Sequence, residues 1–200
     1  MVSSEEPTRP ITKRVEVRHA PQKVKTNVIL ILQDADTGRV LRTVEVHNAV
    51  TLDGGEYYAE RGAAETPTYT FNAGKLALAA SYRQAESVVA ARTLNDLVFT
   101  TLSGIQSFDS TYPKTTDSDT DNTGSGVRVV TYRRTYTTSQ GNFTIKALAV
   151  CRNGYTTNPA SSASLRKILN YVTLSVAQQI TKTSSQTLKV FVNHTMSPIL

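Results

Sequence analysis

Apolar and polar residues alternate along much of this chain with a period of two, in short runs separated by Gly, Asn, Asp and Ser. Val28–Leu32, "VILIL", is apolar at every position, and "DADTG" (Asp34–Gly38) supplies turn chemistry behind it. Beyond that turn Val40, Val44 and Val46 share one side, while Leu41, Thr43, Glu45 and His47 share the other. This pattern predicts a β-hairpin with one half-buried strand. His47 falls on the polar side and is expected to be exposed and idle. In "VRVVTYRRTYTT", Val127, Val129 and Thr131 face one way; Arg128, Val130, Tyr132, Arg134 and Tyr136 face the other. That is a strand. "SQGN" reads as a turn and "FTIKALAVC" as the returning strand of a second hairpin. After the turn "TKTSSQ", "TLKVFVNHTM" is a final strand with Leu188, Val190 and Val192 along one face.

Other segments read less cleanly. Thr51 or Asp53 is placed to cap a short helix over 55–61, ended by Gly62, and Gly54 and Gly55 keep it short. Leu76–Ala80 reads as a strand that follows Gly74. In "SVVAARTLNDLVFTTLSGI" the spacing of Val88, Val89, Leu94, Leu97 and Val98 is partly helical, while "LVFTTL" suits a strand. Residues 107–126 form a long polar passage punctuated by Tyr112-Pro113, and 152–164 is a loop rich in Asn, Gly, Pro and Ser. Over 165–180, Leu165, Ile168, Leu169 and Val172 fit a helical stripe and "YVTLSV" fits a strand. No internal repeat emerges.

Short strands joined by polar turns, with one or two short helices, predict a mainly β protein: an antiparallel β-sandwich or jelly-roll-like domain carrying an extended N-terminal arm. The domain is expected over 26–192, the arm over 1–25 and a C-terminal tail over 193–200. The length of 200 residues suits one such domain with an extension. No run approaches the roughly 20 apolar residues that cross a bilayer, and "MVSSEEPTRPITKR" has no signal-like apolar stretch. A soluble protein made in a cytoplasm is expected.

The net charge of +6 matters chiefly for where it lies. Residues 1–25 hold Arg9, Lys13, Arg14, Arg18, Lys23 and Lys25 against Glu5, Glu6 and Glu16. Pro7, Pro10 and Pro21 disfavour a helix, and no aromatic interleaves the charges. Such an arm neutralises phosphates or lies along an acidic neighbouring subunit; the missing aromatics favour the second role, assembly. The single cysteine, Cys151, excludes an intrachain disulfide and a thiolate metal cluster, and its apolar surroundings mark it as a small core residue.

The sharpest candidate for chemistry is "TTDSDTDNTGSG", with Asp117, Asp119 and Asp121 at alternate positions before Asn122. Calcium takes oxygens at such offsets. An EF-hand loop starting at Asp117 would need Gly at 122 and Glu at 128, where this chain has Asn122 and Arg128. A weak site of another type stays open, but the expected reading is a solvated turn whose Asp and Asn side chains bond to backbone amides. His19, His47 and His194 are the only histidines, and no G-x-S-x-G elbow, H-E-x-x-H, Walker loop or dinucleotide fingerprint occurs. No catalytic residue, metal ligand or cofactor is assigned, and no enzyme activity is expected. In "YRRTY", Tyr132, Arg134 and Tyr136 form an aromatic–cation stripe. It suits stacking of bases or sugars, and equally a subunit contact; the lack of Trp favours the contact. Arg9, Lys13, Arg14, Arg18, Tyr132, Arg134 and Tyr136 are therefore the candidate assembly residues.

"GRVLRTVEVHNAVTLDGGEYYAERGA" resembles an opening common in tailed-bacteriophage structural proteins: a strand, N-x-V/I-T-x-x-G, then a short helix. "YPKTTDSDTDNTGSGVRVVTYRRTYTT" is similar to their polar D/N-T-G loop leading into an Arg-bearing strand, and "ITKTSSQTLKVFVNHTM" to their closing K-x-x-x-x-x-L-x-V strand. The residues that carry the resemblance are Asn48, Thr51, Gly54 or Gly55, Asn122–Gly124, Arg133 and Leu188–Val192. Their "I-x-E-x-G-L" run is replaced here by "IKALAVCRNG". The resemblance implies a virion component without enzymatic activity, part of a neck, collar or tail ring, or alternatively a capsid decoration (cement) protein. Its partners would be copies of itself and other virion proteins, with no membrane or small-molecule substrate. A carbohydrate- or nucleic-acid-binding module using the Tyr/Arg stripe is the competing reading from another class.

Overall fold

The computed structural model describes residues 24–50, 54, 55, 57, 58, 73–82, 97, 98, 104–117, 128–152 and 168–196. Thirteen strands run in chain order among them. They are β1 (Val24–Asp34), β2 (Val40–Ala49), β3 (Ala73–Ala79), β4 (Ser81–Tyr82), β5 (Leu97–Val98), β6 (Ile105–Ser107), β7 (Lys114–Asp117), β8 (Arg128–Tyr136), β9 (Thr144–Ile145), β10 (Ala147–Arg152), β11 (Ile168–Thr173), β12 (Ile180–Thr181) and β13 (Gln186–Met196). One sheet has the order β2-β1-β13-β8-β7 and the other β11-β10-β3-β6; β12-β9 and β4-β5 are two-stranded ribbons. The pairings are antiparallel throughout. The two larger sheets share one core, in which Val28, Leu30, Val190 and Val192 of the first meet Leu76, Leu148, Val150 and Val172 of the second. The mainly β, antiparallel sandwich expected from the sequence is the architecture found.

Register follows the apolar alternation, because a one-residue slip would turn every inward side chain outward. Val28, Leu30 and Leu32 stand opposite Val192, Val190 and Leu188, and all six are buried. The hairpin of β1 and β2 forms as expected, with Val28 opposite Val46 and Leu30 opposite Val44. A register shift between Leu32 and Gln33 breaks the alternation near the turn. It leaves Val40 52% and Leu41 39% exposed, which corrects the inward placement of Val40. His47 is exposed, as expected.

The central strands of the second sheet, β3 and β10, carry runs buried on both faces. Leu76, Leu78, Leu148 and Val150 point into the shared core, and Ala77, Ala79, Ala147, Ala149 and Cys151 form a second buried cluster with Ile105, Ile168 and Tyr171. Runs that are apolar at every position, "LALA" and "ALAVC", are what a strand covered on both sides requires. Cys151 is thus the core residue expected, and burial pushes its thiol up to about 12.

The second predicted hairpin does not form. β8 lies between β13 and β7, so both of its edges are occupied and "FTIKALAVC" has no place beside it. The chain turns instead at Gly141, whose φ of +64° suits glycine. β9 pairs with β12, and β10 joins the other sheet between β3 and β11. Residues 168–173, compatible with helix or strand in the sequence, are strand β11, and Val176–Gln178 is one short 3-10 turn. The polar passage 107–126 contains β7. Gly54, Gly55, Tyr57 and Tyr58 are helical where the short helix was expected. A Cβ on Gly54 would sit 2.2 Å from the Leu169 carbonyl oxygen, so glycine is what lets this segment lie on β11. The predicted segment at 88–94 and the loop at 153–164 lie outside the described residues, while Leu97 and Val98 are strand.

β1 and β13 are central neighbours of the first sheet, and Val24 stands opposite Met196. The first residue of β1 and the last of β13 are therefore side by side at one end of the sheet. Val24 and Lys25 belong to β1, and Asn193–Met196 to β13. β1 thus begins before residue 26 and β13 runs past residue 192, because ladder pairing carries both strands past the point where their apolar alternation fades.

Candidate functional site

The Tyr132–Arg134–Tyr136 stripe faces into the sandwich. Tyr132 is 1% exposed and Tyr136 fully buried. The Tyr136 hydroxyl donates to the carbonyl oxygens of Leu76 at 2.8 Å and Gly104 at 3.3 Å. The reading of Tyr132 and Tyr136 as an assembly surface is thus corrected: of the two faces of β8, the one with the larger apolar area goes to the core. Arg134 accompanies them and is mostly covered; its Nη2 donates to Gln140 Oε1 at 2.9 Å, and its Nη1 lies 3.6 Å from Asp109 Oδ1. Arg9, Lys13, Arg14 and Arg18 lie outside the described residues. So do Asp119, Asp121 and Asn122, while Asp117 ends β7 opposite Arg128. The aspartate-rich segment joins two antiparallel neighbours.

Arg133, between the two tyrosines, points to the other side of the sheet and belongs to a cluster centred on Asp109. Asp109 accepts from Arg133 Nε at 2.9 Å, from the Thr135 backbone N–H at 3.0 Å and from Thr135 Oγ1 at 2.9 Å. Its own N–H donates to the Arg133 carbonyl at 2.9 Å. Burial alone would push the Asp109 carboxyl up, but the hydrogen bonds from Thr135 and Arg133, with the guanidinium charge, hold it below its ordinary value. The Arg133 guanidinium lies 4.3 Å from the centre of the Tyr112 ring, and Lys114 Nζ lies 5.3 Å from it. The result is a fixed cationic and aromatic rim on the outer face of the first sheet. Sequence reading missed Asp109 because it sits in a passage without period. Arg133 was legible from parity alone, once its neighbours' faces were assigned.

Beside β1 on the same face, Asn27 donates to Glu45 Oε1 at 2.8 Å. Glu45, Ile29, Phe191 and Arg133 occupy successive strands β2, β1, β13 and β8 at one level, each opposite the next in register. An acidic edge, an apolar centre and a basic edge thus follow one another across the outer face.

Inside the sandwich, the Tyr58 hydroxyl lies 2.5 Å from His194 Nδ1 and 3.1 Å from the Tyr132 hydroxyl, with the His194 ring against both tyrosines. Burial pushes His194 down to about 3 and Tyr58 far above the ordinary phenol range. Burial thus favours the neutral form of both groups, and the His194 ring packs edge-on against both tyrosines. Lys182 is also buried. Its Nζ donates to Asn142 Oδ1 at 2.6 Å and to the Thr183 carbonyl at 3.2 Å, and burial pulls its ammonium below the ordinary value. Among the described residues no three His, Cys, Asp or Glu side chains come together as a metal site.

No protein-family model, curated protein or solved structure matches this chain.

Proposed function

We propose that this protein is a non-enzymatic structural subunit of a tailed-phage particle, assembling into a neck, collar or tail ring. The observation that carries the reading is the pairing of Val24 with Met196 at the end of the two central strands. It sets the first residue of β1 beside the last of β13, so the basic, proline-punctuated sequence before β1 and the residues after β13 join the sheet at one end of two neighbouring strands. In this reading the two terminal sequences supply contacts to a neighbouring subunit, and the sandwich sets the spacing between copies. The sequence resemblance over 38–196 points the same way.

The test is incorporation. A chain lacking residues 1–23 is expressed in infected cells beside the full chain, each carrying a distinguishable tag, and purified particles are assayed for both. The full chain is expected in particles at tens of copies, and the shortened chain is expected to fold and stay out. Full incorporation of the shortened chain would remove the role of the arm. Absence of both from particles would remove the reading. Hundreds of copies per particle would favour capsid decoration.

A further inference from the structure

We propose that the outer face of the five-stranded sheet, centred on Ile29 and Phe191, is where a second copy of this chain packs, sheet against sheet. The inference deepens the assembly role proposed above and rests on it for the identity of the partner.

The first support is internal comparison. A strand that is apolar at every position is a strand to be covered on both sides. In the second sheet, β3 and β10 carry such runs, and both of their faces are buried within the chain. β1 carries the same kind of run, "VILIL", yet only its inner side is buried. Val28, Leu30 and Leu32 are in the core, while Ile29 and Ile31 remain partly exposed. Phe191, opposite Ile29 on β13, is partly exposed as well. Outward positions on a solvated sheet face are ordinarily polar, as Asn27, Gln33 and Thr195 are here.

The second support is charge. Across the centre of this face the order is Glu45, Ile29, Phe191, Arg133 on four adjacent strands. A twofold axis parallel to the strands, passing between β1 and β13, places Ile29 of each copy over Phe191 of the other. The same rotation brings Glu45 over Arg133 at both edges. The face is therefore complementary to itself, as an isologous contact must be, and sheets stacked about 10 Å apart bring such side chains into contact. Arg133 is already held in place by Asp109 and Tyr112, so little side-chain freedom is lost when it meets a carboxylate.

The experiment uses the purified full chain in sedimentation velocity over a concentration series. The wild type is expected to self-associate. Ile29→Lys and Phe191→Lys are each expected to weaken association by about tenfold or more, with circular dichroism and the unfolding midpoint confirming an intact fold. Because a charged substitution on a sheet can disturb folding, a second measurement is made with milder changes. Ile29→Cys protein mixed with Phe191→Cys protein is expected to be joined by a short bismaleimide linker in greater amount than either variant alone, since facing backbones about 10 Å apart exceed the reach of a direct disulfide. The native Cys151 does not compete, being buried. Unchanged association in both lysine variants, no cross-link in the mixture, or a wild type that stays monomeric would each overturn the inference. Those outcomes are separate from the particle assay: incorporation with a monomeric wild type sinks this face and leaves the structural role standing.

Discussion

The Tyr136 hydroxyl, on a strand of the first sheet, donates at 2.8 Å to the carbonyl of Leu76 on a strand of the second. This bond crosses the core of the sandwich and fixes how the sheets sit on each other. Tyr136→Phe keeps the ring but leaves a buried carbonyl short of a partner, at an expected cost of about 1–2 kcal/mol. Tyr136→Ala adds a large cavity and is expected to cost about 3–5 kcal/mol. Urea unfolding of the two variants measures both, and equal stability of wild type and Tyr136→Phe would show that the bond contributes nothing net.

Gly54 and Gly55 separate a packing constraint from a helix preference. Gly54→Ala drives a methyl to 2.2 Å from the Leu169 carbonyl and 2.3 Å from Val50 Cγ1, so a loss of about 3 kcal/mol or a failure to fold is expected. Gly55 has nothing within 4 Å of its would-be Cβ. Gly55→Ala is expected to be neutral or slightly stabilising, because alanine favours helical backbone. Thermal melts of the pair check the contrast.

His194 makes stability depend on pH. Its value in the fold is about 3 against an ordinary 6.5, so the unfolded chain takes up the proton first. The contribution is complete above about pH 6.5 and is lost as pH falls toward 3, at about 1.4 kcal/mol per pH unit. His194→Leu is expected to flatten that part of the curve, whatever it does to stability at pH 7. Denaturant midpoints between pH 7 and 4, within the range named above, provide the check, and an unchanged slope would contradict the burial of a neutral imidazole.

Asp109 acts in a lower window. Its carboxyl is held below the ordinary 3.8, so its stabilisation is present above that value and is lost as pH falls through the lower, folded-state value. Asp109→Ala leaves Arg133 Nε and the Thr135 N–H without their acceptor and is expected to cost about 1.5–3 kcal/mol at neutral pH. The variant should also lose less further stability than wild type on acidification below about pH 4. Because His194 has already lost most of its contribution there, the two slopes are separable by measuring each variant across both windows.

The alternation along β1, β2, β8 and β13 was enough to specify strands with two distinct faces and an antiparallel sandwich. Period two is a local property, set by how successive side chains leave an extended backbone. It correctly put Leu188, Val190 and Val192 on one face and placed Cys151 in the core. What it left open was which strand stands beside which. "FTIKALAVC" follows β8 in sequence, yet the edges of β8 belong to β7 and β13, so the chain crosses to the other sheet. Which face of β8 turns inward was decided the same way. Tyr132 and Tyr136 pack between sheets because burying two rings gains more than exposing them, and Arg133 is thereby sent outward to Asp109, a residue that no periodicity marked. The sequence by itself determined the strands and their two-sided character; the tertiary structure decided neighbours and faces, because both depend on contacts between residues far apart in the chain.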